Sequence, residues 1–283
     1  MEQTTGTLYL CATPIGNLED ITLRVLRALQ EADSIWAEDT RHTLGLLNHY
    51  EIKKPLVSCH EHNERERAQE LVRALRQGKA IAFCSDAGMP GISDPGTTLL
   101  AACAAEGLPA TVLPGASAVP TAAVLSGLYQ EPFTFYGFLP REKKPRATLL
   151  EQLKTQQGLL LLYESPVRVP ATLKELLGAL GDREAALLRE LTKLHEEAAR
   201  GTLSSLSERF SEPPRGECVI AIQGAEPAKA ADASEAELDD ALARLLREGF
   251  SVRDAAAAAS ILLQVPKKLA YARALKLDAE QED

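Results

Sequence analysis

Several catalytic and structural classes are excluded by what this 283-residue chain lacks. There is no GxSxG elbow, no phosphate-binding GxxxxGK[ST] loop and no GxGxxG turn, so serine hydrolase, P-loop phosphotransferase and plain dinucleotide-binding readings have little support. No apolar run approaches the ~18 residues of a membrane span, and the opening MEQTTGTLYL lacks the basic region and apolar stretch of a secretion signal. Cysteine is sparse: five residues, at 11, 59, 84, 103 and 218, with no CxxC or metal-finger spacing. Cys11, Cys84 and Cys218 sit in apolar runs, as buried free thiols do, and a cytoplasmic location is expected. Surplus positive charge is also missing. A formal charge of -9 argues against indiscriminate attraction to nucleic acid or anionic membrane, so any polyanion must meet a local basic patch.

What is present is an ordinary globular composition, 45% hydrophobic and 25% charged, long enough for two domains and a small third. Short apolar runs alternate with amphipathic stretches. TLYLCA (7–12) reads as a strand, followed by the turn Thr13-Pro-Ile-Gly-Asn17 and a helix with apolar residues at 23, 25, 26 and 29. The alternation continues with strands at 34–37, 55–59, 79–84 and 109–113, and helices after Arg41 and over 63–76 and 97–106. Such repetition predicts an open, mostly parallel sheet. A boundary near residue 128 separates this 1–128 half from a second α/β half, 129–225, with strands at 133–138, 159–163, 184–189 and 217–222 and helices over 166–180 and 203–210. Residues 224–234 have a linker's composition. In the last segment, 226–283, short helices over 235–247, 251–262 and 266–276 suggest a helix-turn-helix-like module, with Ser251 as an N-cap.

The densest punctuation is SDAGMPGISDPG (85–96), three glycines, two prolines and two aspartates directly after the strand 79–84. Neither strand nor helix can continue through it, so it predicts a tight loop with exposed backbone. In doubly wound sheets ligands bind beyond the carboxyl ends of the strands, which makes this loop a candidate site, although many such loops only turn the chain. The turn 13–17 occupies a comparable place, and functional and structural readings of it are equally weighted. Pro114-Gly-Ala-Ser117 opens a small-residue helix whose first amides are potential donors. For Glu38-Asp-Thr-Arg41 a local ion pair and helix cap is the simpler reading. His60 and His62 have metal-compatible spacing but no third ligand nearby, so no metal is expected. Arg141, Lys143, Lys144 and Arg146 form a basic loop, and Lys267, Lys268 and Arg273 make the last helix basic; these are the candidates for RNA phosphate contacts, or else solvated surface.

Taken together, ATPIGNLEDIT (12–22), EDTR (38–41), HEHNE (60–64), SDAGMPGISDPG (85–96), LPGASA (113–118), FYGFLP (135–140), YESPVR (163–168) and RELTKLHEE (189–197) resemble the tetrapyrrole-methylase superfamily. Within it they are similar to the ribosomal RNA small subunit methyltransferase I family, from about residue 6 to 223, and the C-terminal helices resemble that family's extension. Met89 departs from the threonine usual there. The resemblance implies two α/β domains with S-adenosylmethionine in the cleft between them, a homodimer, and 2′-O-methylation of the cytidine conventionally numbered 1402 in 16S rRNA of the small ribosomal subunit. It further implies that Pro14, Ile15, Gly16, Asp86, Ala87, Gly88, Ser117 and Ala118 surround the methyl donor, joined by Glu164 and Leu191 from the second half. Asp39, His60 and Lys193 are candidates for assisting the ribose hydroxyl, and sequence does not choose among them. A tetrapyrrole methylase and a non-catalytic RNA-binding assembly factor are the alternatives. The basic stretches argue against the first and the intact donor loops against the second.

Overall fold

The computed structural model describes residues 5–129, 132–226, 235–263 and 265–281. Contacts divide the chain into two units, one through Gly224 and one from Ala225 onward.

The first unit holds two five-stranded sheets. Strands β1 (Leu8–Cys11), β2 (Ser34–Ala37), β3 (Leu56–Ser58), β4 (Ile81–Cys84) and β5 (Ala110–Leu113) form a wholly parallel sheet in the order β3-β2-β4-β1-β5. Helices α1 (Leu23–Glu31), α2 (Thr40–His49), α3 (Glu64–Arg76), α4 (Thr97–Ala105) and α5 (Ala118–Leu125) lie between or after them. Side chains alternate across this sheet with the two-residue period of a strand. Leu8, Leu10, Ile81 and Phe83 pack with Leu71 and Leu75 of α3 and Leu99 and Cys103 of α4. Cys11, Ala82 and Cys84 pack on the opposite face with Val25 and Leu29 of α1 and Leu47 of α2. Helices on both faces explain why these strands are apolar throughout.

The second sheet departs from the parallel expectation. Strands β6 (Phe133–Phe138) and β7 (Leu159–Glu164) run parallel, but β8 (Glu184–Arg189), β9 (Glu197–Thr202) and β10 (Cys218–Gln223) pair antiparallel in the order β6-β7-β10-β8-β9. The reason lies in the connections. No helix intervenes between β8 and β9, so the chain returns beside itself as a hairpin rather than by a crossover. One face carries α6 (Lys143–Thr155), α7 (Val169–Leu180) and α8 (Leu203–Arg209), through Leu153, Leu173, Leu176 and Leu206. The other face, with Leu159, Leu161, Leu188 and Val219, packs on Val119, Ala122 and Ala123 of α5 and on Ile15. Helix α5, which follows β5 of the first sheet, thereby packs on the second. Its C-terminal carbonyl at Ser126 accepts a 2.9 Å hydrogen bond from Arg200 Nε on β9, a cation placed where the helix dipole is negative.

The stretch expected to be a basic loop at 141–146 is instead the entry to a helix, which begins at Lys143. The boundary proposed near residue 128 falls between α5 and β6.

In the second unit, α9 (Glu235–Arg247), α10 (Val252–Leu262) and α11 (Lys267–Gln281) bury Leu238, Leu242, Ala255, Ala256, Ala259, Ala270 and Ala274 among themselves. Ser251 caps α10 by accepting from the Asp254 amide at 3.2 Å, as expected. The third helix runs further than the 266–276 expected from its apolar spacing. Most of the expected linker, residues 227–234, lies outside the described residues.

Candidate active site

The site grows from the carboxyl ends of two neighbouring strands. Because β1 and β4 are hydrogen-bonded partners, the loops that follow them, 13–17 and 85–96, emerge side by side. A two-way bridge fuses them: the Thr13 amide donates to the Gly88 carbonyl at 2.9 Å, and the Gly88 amide returns to Thr13 at 3.0 Å. Gly88 has φ +76°, and a Cβ there would press on Ile15 at 3.1 Å, so the turn needs glycine for both conformation and space. The far end of the loop is fixed by Glu64, which is buried and accepts from the Gly96 amide at 2.7 Å. Asp86 is held in place through its Oδ1, which accepts from the Asp39 amide at 3.0 Å.

Opposite these loops stands the edge of the second sheet. A Cβ on Gly16 would fall 2.9 Å from the Leu191 carbonyl oxygen and inside the Lys193 side chain, which shows how closely the two halves approach. Ser93, Glu190 and Thr192 adopt left-handed φ of 64°, 52° and 66°. Such conformations cost roughly 1–3 kcal/mol each and persist where the surroundings impose them, commonly at functional sites.

Two adjoining cavities lie between the halves. The first, of about 400 Å³, is lined by Asp86, Ala87, Asp94, Ser117 and Ala118 from one side and by Phe138, Tyr163, Leu191, Glu217 and Val219 from the other, with Ile15 on its wall. Of the ten residues expected at the methyl donor, Ile15, Asp86, Ala87, Ser117, Ala118, Glu164 and Leu191 line it. The second, of about 500 Å³, is lined by Pro14, Gly16, Arg41, His42, Ser85 and Lys193 and shares Ile15, Asp86, Ala87 and Glu217 with the first. Gly88 lines neither and acts through its bridge to Thr13.

The charge lining the smaller cavity is one-sided: Asp86, Asp94, Glu164 and Glu217 contribute carboxylates, and no Lys, Arg or His among the described residues contributes. Not all four are available. Glu164 has a fully buried side chain that accepts from Thr172 Oγ1 at 2.7 Å and the Ser165 amide at 2.8 Å and pairs with Arg168 at 3.2 Å. Its carboxylate therefore orders the turn after β7 while the residue lines the cavity, the neighbourhood expected of it. Asp94 lies without a hydrogen bond or ion pair to its side chain among the described residues. Burial, followed by the nearby charges of Glu38 and Asp86, pushes its carboxyl up to about 6.

S-adenosylmethionine is a sulfonium with an adenine ring, and this cavity answers both features. Ile15, Ala87, Ala118, Leu191 and Val219 supply apolar walls for a ring, while Asp86 supplies negative charge for a cation. Asp86 keeps Oδ2 free of the bond that Oδ1 makes to Asp39.

The three candidates for assisting the hydroxyl fare poorly. Asp39 is spent on Arg41, whose Nη2 and Nε lie 2.7 and 3.1 Å from its two oxygens; those hydrogen bonds hold its carboxyl well below the usual range. Lys193 is held by Glu190 at 2.8 Å and Glu217 at 3.0 Å. Burial works to lower its pKa, but the two carboxylates outweigh that and keep it protonated. His60 lines neither cavity, although its Nδ1 is buried without a partner. Residues that sequence reasoning did not place at the site are Asp94, Phe138, Tyr163, Glu217 and His42, while Arg41, read as an ion-pair partner, pairs with Asp39 and also lines the larger cavity. Asp94 stood inside the quoted motif, with its Asp-Pro-Gly context as the available signal, whereas nothing local marks Glu217.

The basic candidates also divide. Arg141, Lys143 and Lys144 are exposed at the entry to α6, but Arg146 is committed to Glu175 (Nε to Oε2, 2.6 Å) and to Thr172. In the second unit Lys267 and Lys268 are exposed, while Arg273 Nε donates to Asp239 at 2.9 Å and ties α11 to α9.

Comparison with known proteins agrees with this geometry. Residues 7–207 match the tetrapyrrole (corrin/porphyrin) methylases, and residues 232–278 match the RsmI C-terminal HTH domain. A protein of Synechocystis named ribosomal RNA small subunit methyltransferase I is 43% identical over 277 residues, covering 97% of this chain and 99% of its own. The Thermotoga maritima protein of the same name is 47% identical over 222 residues, 78% of this chain and all of its own. Among solved structures, a diphthine synthase superposes with a TM-score of 0.61 at 16% identity, covering 77% of this chain and 90% of that one. The uroporphyrin-III C-methyltransferase of Thermus thermophilus gives 0.54 at 20% identity over 77% of this chain and 92% of its own. These two speak for the fold alone. The chain belongs to the tetrapyrrole methylase family and, within it, to the ribosomal RNA small subunit methyltransferase I family.

Proposed function

We propose that this protein uses S-adenosylmethionine to methylate a ribose 2′-oxygen of a cytidine in small-subunit ribosomal RNA. The observation that carries this reading is the acid-lined cavity with apolar walls, assembled from the donor loops of a methyltransferase family. When bound there, the donor supplies an electrophilic methyl group on a positively charged sulfur. The chain's contribution is chiefly positional. Ile15, Ala87, Ala118 and Leu191 would fix the donor's ring, Asp86 would face its charge, and the fused loops would present backbone groups without side-chain obstruction.

An RNA acceptor is favoured over a tetrapyrrole by two lysine pairs. Lys143 and Lys144 occupy the first turn of α6, and Lys267 and Lys268 the first turn of α11. Helix N-termini disfavour cations by roughly 0.3–1 kcal/mol, so lysines there suit a partner that brings phosphates. Arg41, His42 and Lys193 give the larger cavity its basic side chains, while the carboxylates of the smaller one repel phosphate. The homodimer expected from the family belongs to the same reading, with exposed Leu23, Val112 and Val124 as apolar surface. So does a cytoplasmic location, where ribosomes are assembled and the five unpaired cysteines stay reduced.

Incubation with methyl-labelled donor and either 30S subunits, naked 16S rRNA or uroporphyrinogen tests the reading. Label is expected on a ribose of the RNA in one of the first two, and label on the tetrapyrrole instead would overturn it.

A further inference from the structure

We propose that Asp94 is the catalytic group that takes the proton from the acceptor hydroxyl, and that Phe138, at the mouth of the same cavity, holds the base of the acceptor nucleotide. This inference rests on the methyl-transfer reading above.

A ribose hydroxyl is a weak nucleophile, and a proton acceptor must face the reacting space with an uncommitted atom. Among the ionisable groups around the cavities, Asp39 and Lys193 are engaged in ion pairs, Glu164 is enclosed by its own hydrogen bonds, and Asp86 spends Oδ1 on the Asp39 amide. Tyr163, with burial and then the charges of Asp94 and Glu217 raising it to about 12, keeps its proton. Glu217 shares Lys193 with Glu190. Asp94 alone lines the donor cavity with a carboxylate that no donor in the described residues reaches. Its loop is rigidly set: Ser93 before it has a left-handed backbone, Gly91 donates to the Pro95 carbonyl at 3.0 Å, and Gly96 is held by Glu64.

The groups facing Asp94 are acidic or neutral, namely Glu38 at the end of β2, Asp86 in its own loop and Tyr163 on β7. With no cation to stabilise its charge, the carboxylate is a stronger base than an ordinary aspartate, suited to accept a proton near neutral pH. Phe138 supplies the complementary feature. It is 52% exposed although it lines the cavity, and its ring meets Tyr163 edge-on at 5.6 Å, leaving a face to solvent. RNA-modifying sites hold an unstacked base on such aromatic faces. In the reaction the ribose oxygen bonds to the methyl carbon as the carbon–sulfur bond breaks and its electron pair returns to sulfur. The hydroxyl proton passes to Asp94, which later releases it to water.

The test compares the full-length wild type with Asp94→Asn, Asp94→Glu and Phe138→Ala. Wild-type turnover on 30S subunits is established first, and its absence counts against the functional reading rather than against Asp94. Given turnover, Asp94→Asn should lower kcat about 100-fold or more, within the usual contribution of a general base, and leave donor affinity by calorimetry within about twofold. The wild-type fall in kcat/KM below about pH 6 should vanish in Asp94→Asn and persist in Asp94→Glu, which keeps partial activity. Phe138→Ala should raise KM for 30S subunits with kcat largely kept. A kcat for Asp94→Asn within threefold of wild type, an unchanged pH profile, or a loss of donor affinity as large as the loss of rate would each overturn the assignment. If Asp94→Asn does not fold, Asp94→Ala takes its place, and a kcat within threefold of wild type with the acid limb kept overturns the assignment equally.

Discussion

The Glu64 carboxylate accepts a 2.7 Å hydrogen bond from the Gly96 amide, joining the first turn of α3 to the end of the donor loop across 32 residues. Both partners are buried, so water cannot replace the bond. Glu64→Ala should therefore lower stability by about 1–3 kcal/mol, the usual cost of leaving a buried donor unpaired. Glu64→Gln keeps an acceptor and should lose less. Urea unfolding of the three proteins measures the difference, and equal midpoints would show that the bond does not anchor the loop.

Gly16 leaves no room for a side chain against Leu191 and Lys193. Gly16→Val should force the two halves apart, weaken donor binding at least about tenfold, and leave most of the fold intact, because the clash is at a cleft rather than in a core. Calorimetric titration with S-adenosylmethionine checks this. An unchanged affinity would mean that the halves do not need this closeness to hold the donor.

The raised Asp94 carboxyl has a consequence for stability. A group more basic folded than unfolded binds more protons in the folded state, so its penalty is absent below the ordinary aspartate range near pH 3.8 and complete above about pH 6. Asp94→Asn should then be more stable than wild type at pH 8 and indistinguishable at pH 3.5. With solvent screening of a half-exposed group, the gain at pH 8 is on the order of 1 kcal/mol. Thermal melts at the two pH values decide it, and a variant less stable than wild type at pH 8 would contradict an unrelieved carboxylate.

Lys143, Lys144, Lys267 and Lys268 are exposed at helix starts and are not among the residues lining either cavity. Replacing either pair with alanine should raise KM for ribosomal substrate several-fold, reduce the salt dependence of RNA binding by roughly one counterion per lysine, and leave donor affinity unchanged. If neither pair alters the salt slope, RNA is gripped elsewhere.

The parallel half was legible because its strands are apolar runs closed by Gly/Pro turns, as in TLYLCATPIG and IAFCSDAG. The strand β9 was not: its sequence Glu-Ala-Ala-Arg-Gly-Thr has few residues with strand preference, and an edge position gives it burial on only part of one side. The start of α6 was hidden by its lysines and proline, which in sequence look like a turn. In the site, the loops could be located from composition, since a Gly/Pro cluster after a strand has a local cause. The second wall could not. Tyr163, Glu217 and Val219 meet the loops only through the antiparallel register of β10 on β7, which pairs Cys218 with Glu164, and no local pattern encodes that. Committed side chains were invisible for the same reason, since Arg146 looks as available as Lys144 until Glu175 is seen beside it.

Ile15, Asp86, Ala87 and Glu217 face both cavities, so guests in the two compartments would touch the same wall. A ligand that displaces this wall from one side alters the free energy of occupying the other, and equilibrium linkage requires the effect to be mutual. By whatever factor a guest in the larger compartment tightens S-adenosylmethionine, S-adenosylmethionine tightens that guest. Any cooperativity between two bound substrates would run through this wall of four residues, with no moving domain required.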